Sequence, residues 1–331
     1  KDTKMINFSD PQTRYLIDYA NLKHGLIKHQ TDFLSKKKFN DFVKKKYLGC
    51  PLVLPLGIKY FNYSNCNEVF KISKEQTRKY IFACKTNNYI GMKIFFKFGN
   101  KFCTGAVLKK KYFKNVNSII KENSRLISLI KRYKLKNKVS SFQTRNIPHL
   151  GHELIIQRLI GKKKILFINP LIGMKKKGDY KNNVLKDIFN YLLKNELYRS
   201  KVVYGPVICN MNYAGPREAI HHSYIRENLG FNKFSIGRDH AGAENNYGPF
   251  DSANFVKKNR KKLKINIFFH KGAYFCKKCK KIVLKGDCVH KDLDSISGSE
   301  FRDKLNKKKT FLHARINLQR RIKKFKKNLF Y

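Results

Sequence analysis

The second half of this chain alternates short apolar runs with segments of helical periodicity, and this alternation constrains the fold more than any other feature. Apolar runs typical of buried strands cover residues 139–142, 165–168, 201–204 and 234–237, and helical patterns cover residues 184–197 and 217–228. Gly230 follows the last helical segment and is a natural helix terminator. Strands that alternate with helices form parallel sheets, which bind ligands beyond the carboxyl ends of their strands. We therefore predict an α/β domain whose functional site lies at that edge of the sheet.

The most informative polar block, residues 142–153, begins at the end of the first of these strands. It supplies an amide, a hydroxyl, a guanidinium and a second amide from Gln143, Thr144, Arg145 and Asn146. That set suits an oxyanion, because a guanidinium donates two parallel hydrogen bonds and amides orient a ligand without adding charge. His149 and His152 share one face of a helix start, where free N–H groups favour phosphate. Such a pair can also bind a metal or fill a core, but the adjacent arginine disfavours a cation.

Two further blocks follow apolar runs, at residues 213–219 and 237–242. The second reads Gly-Arg-Asp-His-Ala-Gly, and its two glycines allow a ligand to approach the backbone closely. Asp239 can fix Arg238 or His240 in place, or it can cap a helix. Both blocks stand where the carboxyl ends of parallel strands are expected, so we predict that they face the same ligand.

Two other blocks leave their interpretation open. Residues 171–179 offer three consecutive lysines to a polyphosphate, or form a solvated charged loop. Residues 296–302 read Ile-Ser-Gly-Ser-Glu-Phe-Arg, which suits a helix start capped by serine as well as part of a nucleotide site.

Four metal-ligand residues cluster near the end of the chain. They are Cys276, Cys279, Cys288 and His290. Three thiolates and one imidazole complete a tetrahedral shell for Zn²⁺ and leave no open position for substrate. We therefore predict a structural zinc site. The other five cysteines are isolated in sequence and are expected to be mostly buried small apolar residues.

The first part of the chain differs from the rest, because short apolar and aromatic runs are punctuated there by Gly, Asn and Pro. Over residues 1–134 this pattern predicts mainly β structure with a few helices. Residues 110–136 are strongly basic and form either a solvated helix or a connection to the next domain.

The net charge of +51 is spread along the whole sequence. Lys, Asn, Ile, Phe and Tyr are abundant while Trp is absent, so we attribute most of the charge to a composition bias rather than to nucleic-acid binding. No apolar run is long enough for a transmembrane helix. Residues 1–5 show neither an apolar signal segment nor a methionine at position 1, so we expect a cytoplasmic protein, or an organellar one if a leader was removed.

Taken together, five blocks between residues 142 and 302 resemble the ATP sulfurylases in order and spacing. They are FQTRNIPHLGHE, LIGMKKKGD, YAGPREAIHHSYIRENLGFNKFSIGRDHAG, YGPFD and ISGSEFR. The Cys3His segment is similar to one in a zinc-containing subset of that family. The resemblance implies an HxGH-type nucleotidyltransferase domain with a Rossmann-like parallel sheet at residues 135–275, a PUA-like β-rich domain at residues 1–134 and a small C-terminal domain at residues 276–331.

The resemblance also implies a reaction and a role for each site residue. ATP and sulfate would give adenylyl sulfate (APS) and pyrophosphate, with Mg²⁺ bound to the nucleotide and a homodimer as the expected assembly. The catalytic residues would be Thr144, Arg145, Asn146, His149 and His152. Sulfate would contact Gln143, Arg145 and Ala241. The nucleotide would contact Gln143, Asn146, Gly237, Arg238, Asp239, His240 and Val283.

Some residues depart from the family pattern. Leu150 stands where arginine is common, Asn169 where histidine is common and Ser299 where threonine is common. The alternatives are a degenerate member that binds nucleic acid through its basic surface, and another HxGH-type adenylyltransferase. The intact anion-binding residues argue against the first, and the blocks at residues 213–219 and 237–242 argue against the second. The physiological direction of the reaction stays open, because one site serves both directions.

Overall fold

The computed structural model describes residues 6–325 and 328–331. The start of the chain and two residues of the basic tail therefore lie outside the described part. The first five helices are α1 (Thr13–Lys23), α2 (Lys36–Val43), α3 (Lys74–Gln76), α4 (Ile90–Phe95) and α5 (Phe113–Lys134). The first five strands are β1 (Leu54–Pro55), β2 (Phe61–Asn62), β3 (Glu68–Lys71), β4 (Lys101–Thr104) and β5 (Val107–Leu108).

These short strands form two small antiparallel sheets, one in the order β1-β4-β3 and the other pairing β2 with β5. The expected β structure is thus present, but more of residues 6–134 lie in helices than in strands. The reason is visible in α5, which covers most of the basic segment 110–136. Val116, Ile119 and Ile130 on α5 are buried, so this segment is a packed amphipathic helix rather than an extended connection.

The centre of the molecule is a five-stranded sheet in the order β10-β9-β6-β7-β8. Its strands are β6 (Lys138–Phe142), β7 (Lys164–Ile168), β8 (Val202–Tyr204), β9 (Lys233–Ile236) and β10 (Asn266–Phe269). All four neighbouring pairs are parallel, as the alternation of strands and helices predicts. Helices follow the strands as α6 (Leu150–Leu159), α7 (Asn182–Leu192), α8 (Gly215–Leu229) and α9 (Asp251–Lys258). Strand order reverses at β6, so the crevice beyond β6 and β9 is where such a sheet binds its ligand.

A small antiparallel sheet and two helices complete the chain. The sheet has the order β12-β11-β13, with β11 (Ala273–Cys276), β12 (Lys281–Leu284) and β13 (Leu293–Ser295). The helices are α10 (Gly298–Asn306) and α11 (Ile316–Lys323). This sheet packs on α6 through β11 and β12.

The parallel sheet separates two hydrophobic cores, and alternate residues of β7 show how. Ile165 and Phe167 face a core shared with the first 134 residues, whereas Leu166 and Ile168 face a core shared with α6, α7 and the C-terminal helices. The core packing therefore continues across residues 134 and 275, and the domain boundaries at these positions stay a prediction. Among the described residues, no helix is long and apolar enough to cross a membrane.

Candidate functional site: a basic cavity at the end of the parallel sheet

A cavity of about 610 Å³ opens beyond the carboxyl ends of β6, β9 and β10. Of the predicted site residues it is lined by Gln143, Thr144, Arg145, Asn146, His149, His152, Gly237, Arg238, Asp239, His240 and Ala241. Three sequence blocks therefore meet in one place: the block after β6, the block after β9, and the block between β13 and α10. The lining includes the guanidinium groups of Arg145, Arg238 and Arg302, and Asp239 is the only carboxylate among the described lining residues. This balance of charge favours a polyanion.

The loop after β6 holds its polar groups ready for a ligand. Thr144 Oγ1 accepts a hydrogen bond from the backbone N–H of Asn146 at 3.0 Å, which closes a tight turn. Within the described part of the chain, Gln143 Oε1 and Arg145 Nη1 are buried without a hydrogen-bond partner. Buried polar atoms are normally paired, so these two atoms point to a ligand that completes them. The guanidinium of Arg145 lies 6.0 Å from the ring of Tyr213, which helps to hold it.

His149 and His152 form a reciprocal cap at the start of α6. The backbone N–H of His152 donates to Nδ1 of His149, and the backbone N–H of His149 donates to Nδ1 of His152, both at 3.4 Å. Because each Nδ1 accepts, each neutral ring carries its proton on Nε2 and can donate from there. Burial lowers the pKa of His149 to about 4 and the pKa of His152 well below its ordinary value, so both rings are neutral near pH 7.

Glycines let the walls of the cavity approach each other. A Cβ at Gly151 would lie 2.7 Å from the Cβ of Ala273, and a Cβ at Gly237 would lie 2.2 Å from Cε1 of His270. Both positions therefore exclude any side chain unless a neighbour moves.

The loop after β9 supplies further donors. Asp239 and Ala241 adopt positive φ angles of 52° and 59°. Residues with positive φ angles that alternate with residues of negative φ turn their backbone N–H groups towards a common point, a geometry that binds anions. Among the described residues the N–H of Ala241 has no hydrogen-bond partner. Burial raises the pKa of Asp239, and the charge of Arg145 opposes this change.

Two basic side chains that line the cavity, His270 and Arg302, were not among the predicted site residues. His270 follows β10, and its Nδ1 is buried with no partner in the described part of the chain, while burial lowers its pKa to about 4. Its position at the carboxyl end of a parallel strand was the available signal. Arg302 donates from Nη1 to Oδ1 of Asn146 at 2.5 Å. In the same block Ser297 accepts from the N–H of Glu300 at 3.1 Å, so residues 296–302 both cap a helix and line the cavity.

The lysine-rich loop at residues 171–179 contacts the site indirectly. The described residues that line the cavity do not include its three lysines, and Nζ of Lys175 donates to Asn182 at 2.7 Å. Instead Asp179 accepts a hydrogen bond at 2.9 Å from the hydroxyl of Tyr213, whose ring supports Arg145. The loop thus stabilises the site from behind.

Val283 does not belong to the same surface. It lies in β12 opposite Tyr274, and it is absent from the described residues that line the cavity. The expected contact with adenine stays a prediction.

The Cys3His cluster is a second polar centre, at the tip of the β11–β12 hairpin. Its four ligand atoms lie within 4.8 Å of one another. The Sγ atom of Cys288 lies 3.6 Å from that of Cys276 and 3.5 Å from that of Cys279, and Nδ1 of His290 lies 3.2–3.5 Å from all three. A tetrahedron with Zn–S bonds of about 2.3 Å has edges of roughly 3.8 Å, so these spacings fit Zn²⁺. The backbone N–H of Cys279 lowers the pKa of the Cys276 thiol to about 6, which favours the ligating thiolate.

Comparison with known proteins agrees with this geometry. Residues 120–312 match the ATP-sulfurylase family model. A sulfate adenylyltransferase of Pyrococcus abyssi is 31% identical over 312 residues, covering 87% of this chain and 82% of the relative. One from Persephonella marina is 30% identical over 340 residues, covering 93% and 87%. One from Hyperthermus butylicus is 40% identical over 166 residues, covering 50% of this chain and 42% of the relative.

A likeness among solved structures concerns the fold alone. A hexameric APS kinase from Thiobacillus denitrificans superposes with a TM-score of 0.57 at 10% identity, covering 95% of this chain and 62% of that one. The shared feature is the α/β architecture built on a parallel sheet.

Proposed function

This chain belongs to the ATP-sulfurylase family and is therefore a nucleotidyltransferase; from that premise we propose that it transfers the adenylyl group of ATP to sulfate and releases pyrophosphate. The observation that carries the proposal is the set of unpartnered donors in one cavity. Arg145 Nη1, the N–H of Ala241 and the Nε2–H groups of the histidine cap have no protein acceptor among the described residues. A doubly charged tetrahedral anion and a triphosphate are ligands that these donors would complete.

Sulfate is placed by Gln143, Arg145 and Ala241 in this proposal. The guanidinium offers two parallel N–H donors, the amide of Gln143 offers another, and the N–H of Ala241 offers a backbone donor from the loop after β9. Three donor groups from two strand ends fix the orientation of a small anion more firmly than one charge would. Orientation matters here because sulfate is a weak nucleophile and must be held in line with the α-phosphorus.

Adenylyl transfer then needs one bond to form and one to break. A sulfate oxygen attacks the α-phosphorus in line, and the bond from that phosphorus to the bridging oxygen of pyrophosphate breaks on the opposite side. Negative charge grows on the leaving pyrophosphate, where neutral His149 and His152 donate from Nε2. Thr144 and Asn146 hold the shape of the loop, and Arg302 braces Asn146. No covalent intermediate on the protein is required.

The nucleotide would lie along the loop after β9. Gly237 and Arg238 come first in this loop, and Asp239 and His240 follow. The absent side chain at position 237 leaves room for the ring of His270 beside the ligand. Mg²⁺ enters with ATP as part of the substrate and neutralises part of the phosphate charge. The Cys3His cluster, with Zn²⁺ bound, would stabilise the β11–β12 hairpin and take no part in the chemistry.

The test measures pyrophosphate release from ATP and Mg²⁺ by the zinc-loaded full chain, with and without sulfate, and with molybdate as an alternative anion. We expect release that depends on the added anion and saturates with it. Release independent of either anion, or no release, would contradict the proposal. In that case RNA binding with a steep dependence on salt would identify a basic nucleic-acid-binding protein instead. The expected homodimer stays a prediction that light scattering can check.

A further inference from the structure

Behind the cavity, three buried side chains form a polar chain from α8 to the loop after β9. Nδ1 of His222 lies 3.1 Å from Nε2 of His240, and Nε2 of His222 lies 3.2 Å from Oε1 of Glu218. The Glu218 and His222 side chains are fully buried, whereas His240 lines the cavity. A buried chain of ionisable groups that ends at a substrate cavity needs a physical reason, because each member loses its hydration.

Glu218 determines which atoms of this polar chain donate hydrogen bonds and which accept them. Its Oε1 accepts from the N–H of Asn212 at 2.7 Å, and its Oε2 accepts from the N–H of Ala214 at 2.9 Å. Burial raises the pKa of Glu218, and these two hydrogen bonds oppose the rise because they favour the carboxylate. With both oxygens accepting, the side chain acts as an acceptor towards its third neighbour, His222.

The proton positions follow from the carboxylate. Nε2 of His222 makes no hydrogen bond within the described part of the chain, but a lone pair on Nε2 would be repelled by the carboxylate 3.2 Å away, so Nε2 carries the proton. Nδ1 of His222 is then an acceptor, and Nε2 of His240 must donate to it. His240 is left with an unprotonated Nδ1, which has no hydrogen-bond partner among the described residues.

We propose that Glu218 and His222 are positioning residues that hold His240 as its Nε2–H tautomer, so that Nδ1 meets the nucleotide as a hydrogen-bond acceptor. The inference rests on the proposed function for the identity of the substrate. Burial and the nearby cations Arg226 and Arg145 keep His240 neutral, since they hold its pKa well below the ordinary value. The ring therefore adds an acceptor to a cavity whose other described polar groups are mainly donors.

This acceptor selects one end of ATP. Ionised sulfate and ionised phosphates have no proton to donate, whereas the nucleoside has the adenine amino group and the two ribose hydroxyls. His240 is thus assigned to the nucleoside end of the site. The hydrogen bond would discriminate against analogues that lack the donor, because a buried acceptor without its partner is unfavourable.

The first measurement is the tautomer itself, read from the ¹⁵N shifts of histidine side chains in the ligand-free wild type. The signals of His240 are assigned by their loss in His240→Asn. We expect a protonated Nε2 and an unprotonated Nδ1 between pH 6.5 and 8. A His240 that is charged or protonated on Nδ1 in the wild type would overturn the inference, whether or not the protein turns over ATP.

The second measurement compares kcat/KM for ATP, 2′-deoxy-ATP, 3′-deoxy-ATP and ITP. We expect one analogue to lose about tenfold or more in the wild type. The loss should shrink to less than about threefold in His222→Leu and should persist in His222→Gln, whose amide can donate to Glu218 and accept from His240. His221→Leu is the matched control, because His221 is buried beside His222 but contacts the N–H of Cys50.

The outcomes separate the two proposals. Equal discrimination in His222→Leu and the wild type, or none in the wild type, would overturn the positioning role. If the wild type shows no anion-dependent turnover, the proposed function fails. The tautomer of His240 still tests whether Glu218 and His222 position its ring. If His222→Leu does not fold, two results test the positioning role instead. They are the tautomer of His240 in the wild type and the persistence of analogue discrimination in His222→Gln.

Discussion

The cavity and the Cys3His cluster are both dense groups of polar side chains, but they differ in whether their atoms satisfy one another. In the cluster every ligand atom lies within 4.8 Å of the other three, so one bound ion would complete all four. In the cavity Gln143 Oε1 and Arg145 Nη1 are buried and unpaired within the described part of the chain. A closed group stabilises the local fold, whereas an open one leaves its donors and acceptors for a substrate.

The backbone elements that carry the cavity and the cluster also differ. The cavity stands on the ends of three parallel strands. Glycines such as Gly237 allow its walls to pack so closely that no Cβ atom fits between them. The cluster stands on the small antiparallel sheet, where Cys276 ends β11, Cys279 lies in the β11–β12 turn, and Cys288 and His290 lie between β12 and β13. Changes in the cavity should therefore alter turnover first, and changes in the cluster should alter stability first.

The largest expected effect is on Arg145. Arg145→Ala removes the guanidinium that we assign to sulfate, and we expect kcat/KM for sulfate to fall by about 10³ or more, since charged donors to a reacting anion contribute on this scale. Arg145→Lys should recover little, because an ammonium cannot make two parallel hydrogen bonds. The measurement is anion-dependent pyrophosphate release.

Arg320→Ala is the matched control for Arg145→Ala, since Arg320 is exposed on α11 and lies outside the cavity lining described here. It should leave kcat/KM for sulfate within a factor of about two. Retained turnover in Arg145→Ala would place the sulfate site elsewhere.

A smaller loss is expected at the histidine cap. His152→Asn keeps a side-chain oxygen that can accept the N–H of His149 but loses the Nε2–H donor, so the thermal midpoint should change little while kcat falls by about 10². The paired readouts are the unfolding temperature and the turnover rate. A large fall in the unfolding temperature with turnover per folded molecule preserved would mean that the pair serves only as a cap.

Gly237→Ala tests the close approach of the cavity walls. Its Cβ would lie 2.2 Å from the ring of His270, so that ring must move, and we expect kcat/KM for ATP to fall by about 10-fold. Gly161→Ala is the control, because the nearest atom to its Cβ is the flexible Cδ of Lys164 at 3.6 Å. Equal effects of the two substitutions would show that the fit at Gly237 is not limiting.

The sequence predicted the parts of this molecule that depend on local pattern. The alternation of apolar runs with helical periodicity predicted the parallel sheet, and residues that end β6 and β9, such as Arg145 and Asp239, meet at its edge as expected. Their assigned roles stay predictions. The spacing of three between His149 and His152 placed both near the start of α6, where the structure has them.

What the sequence could not provide were contacts between distant segments. His270 has no motif around it and enters the cavity because β10 pairs with β9. Arg302 reaches Asn146 across 156 residues. The helix α5 was ambiguous because its basic residues suit a solvated segment, and its buried face is defined by packing against α1, β6 and α8. Val283 was assigned by resemblance alone, and its contact with adenine stays a prediction.

The smallest effect on turnover is expected from the cluster. Cys288→Ser removes one of the four residues that we propose as zinc ligands, and because structural zinc contributes directly to folding free energy, we expect the free energy of unfolding to fall by about 2–4 kcal/mol. Turnover per folded molecule at 20 °C should stay within about threefold of the wild type. The reason is that the length of β11 separates Cys276, at one end, from the cavity residue Ala273, at the other. Chelation of zinc from the wild type should lower the unfolding temperature as much as Cys288→Ser does. Cys66→Ser, at a cysteine outside the cluster, should leave zinc content at one ion per chain. A hundredfold loss of turnover in folded Cys288→Ser would break the comparison, because a closed group would then be acting on the chemistry of the open one.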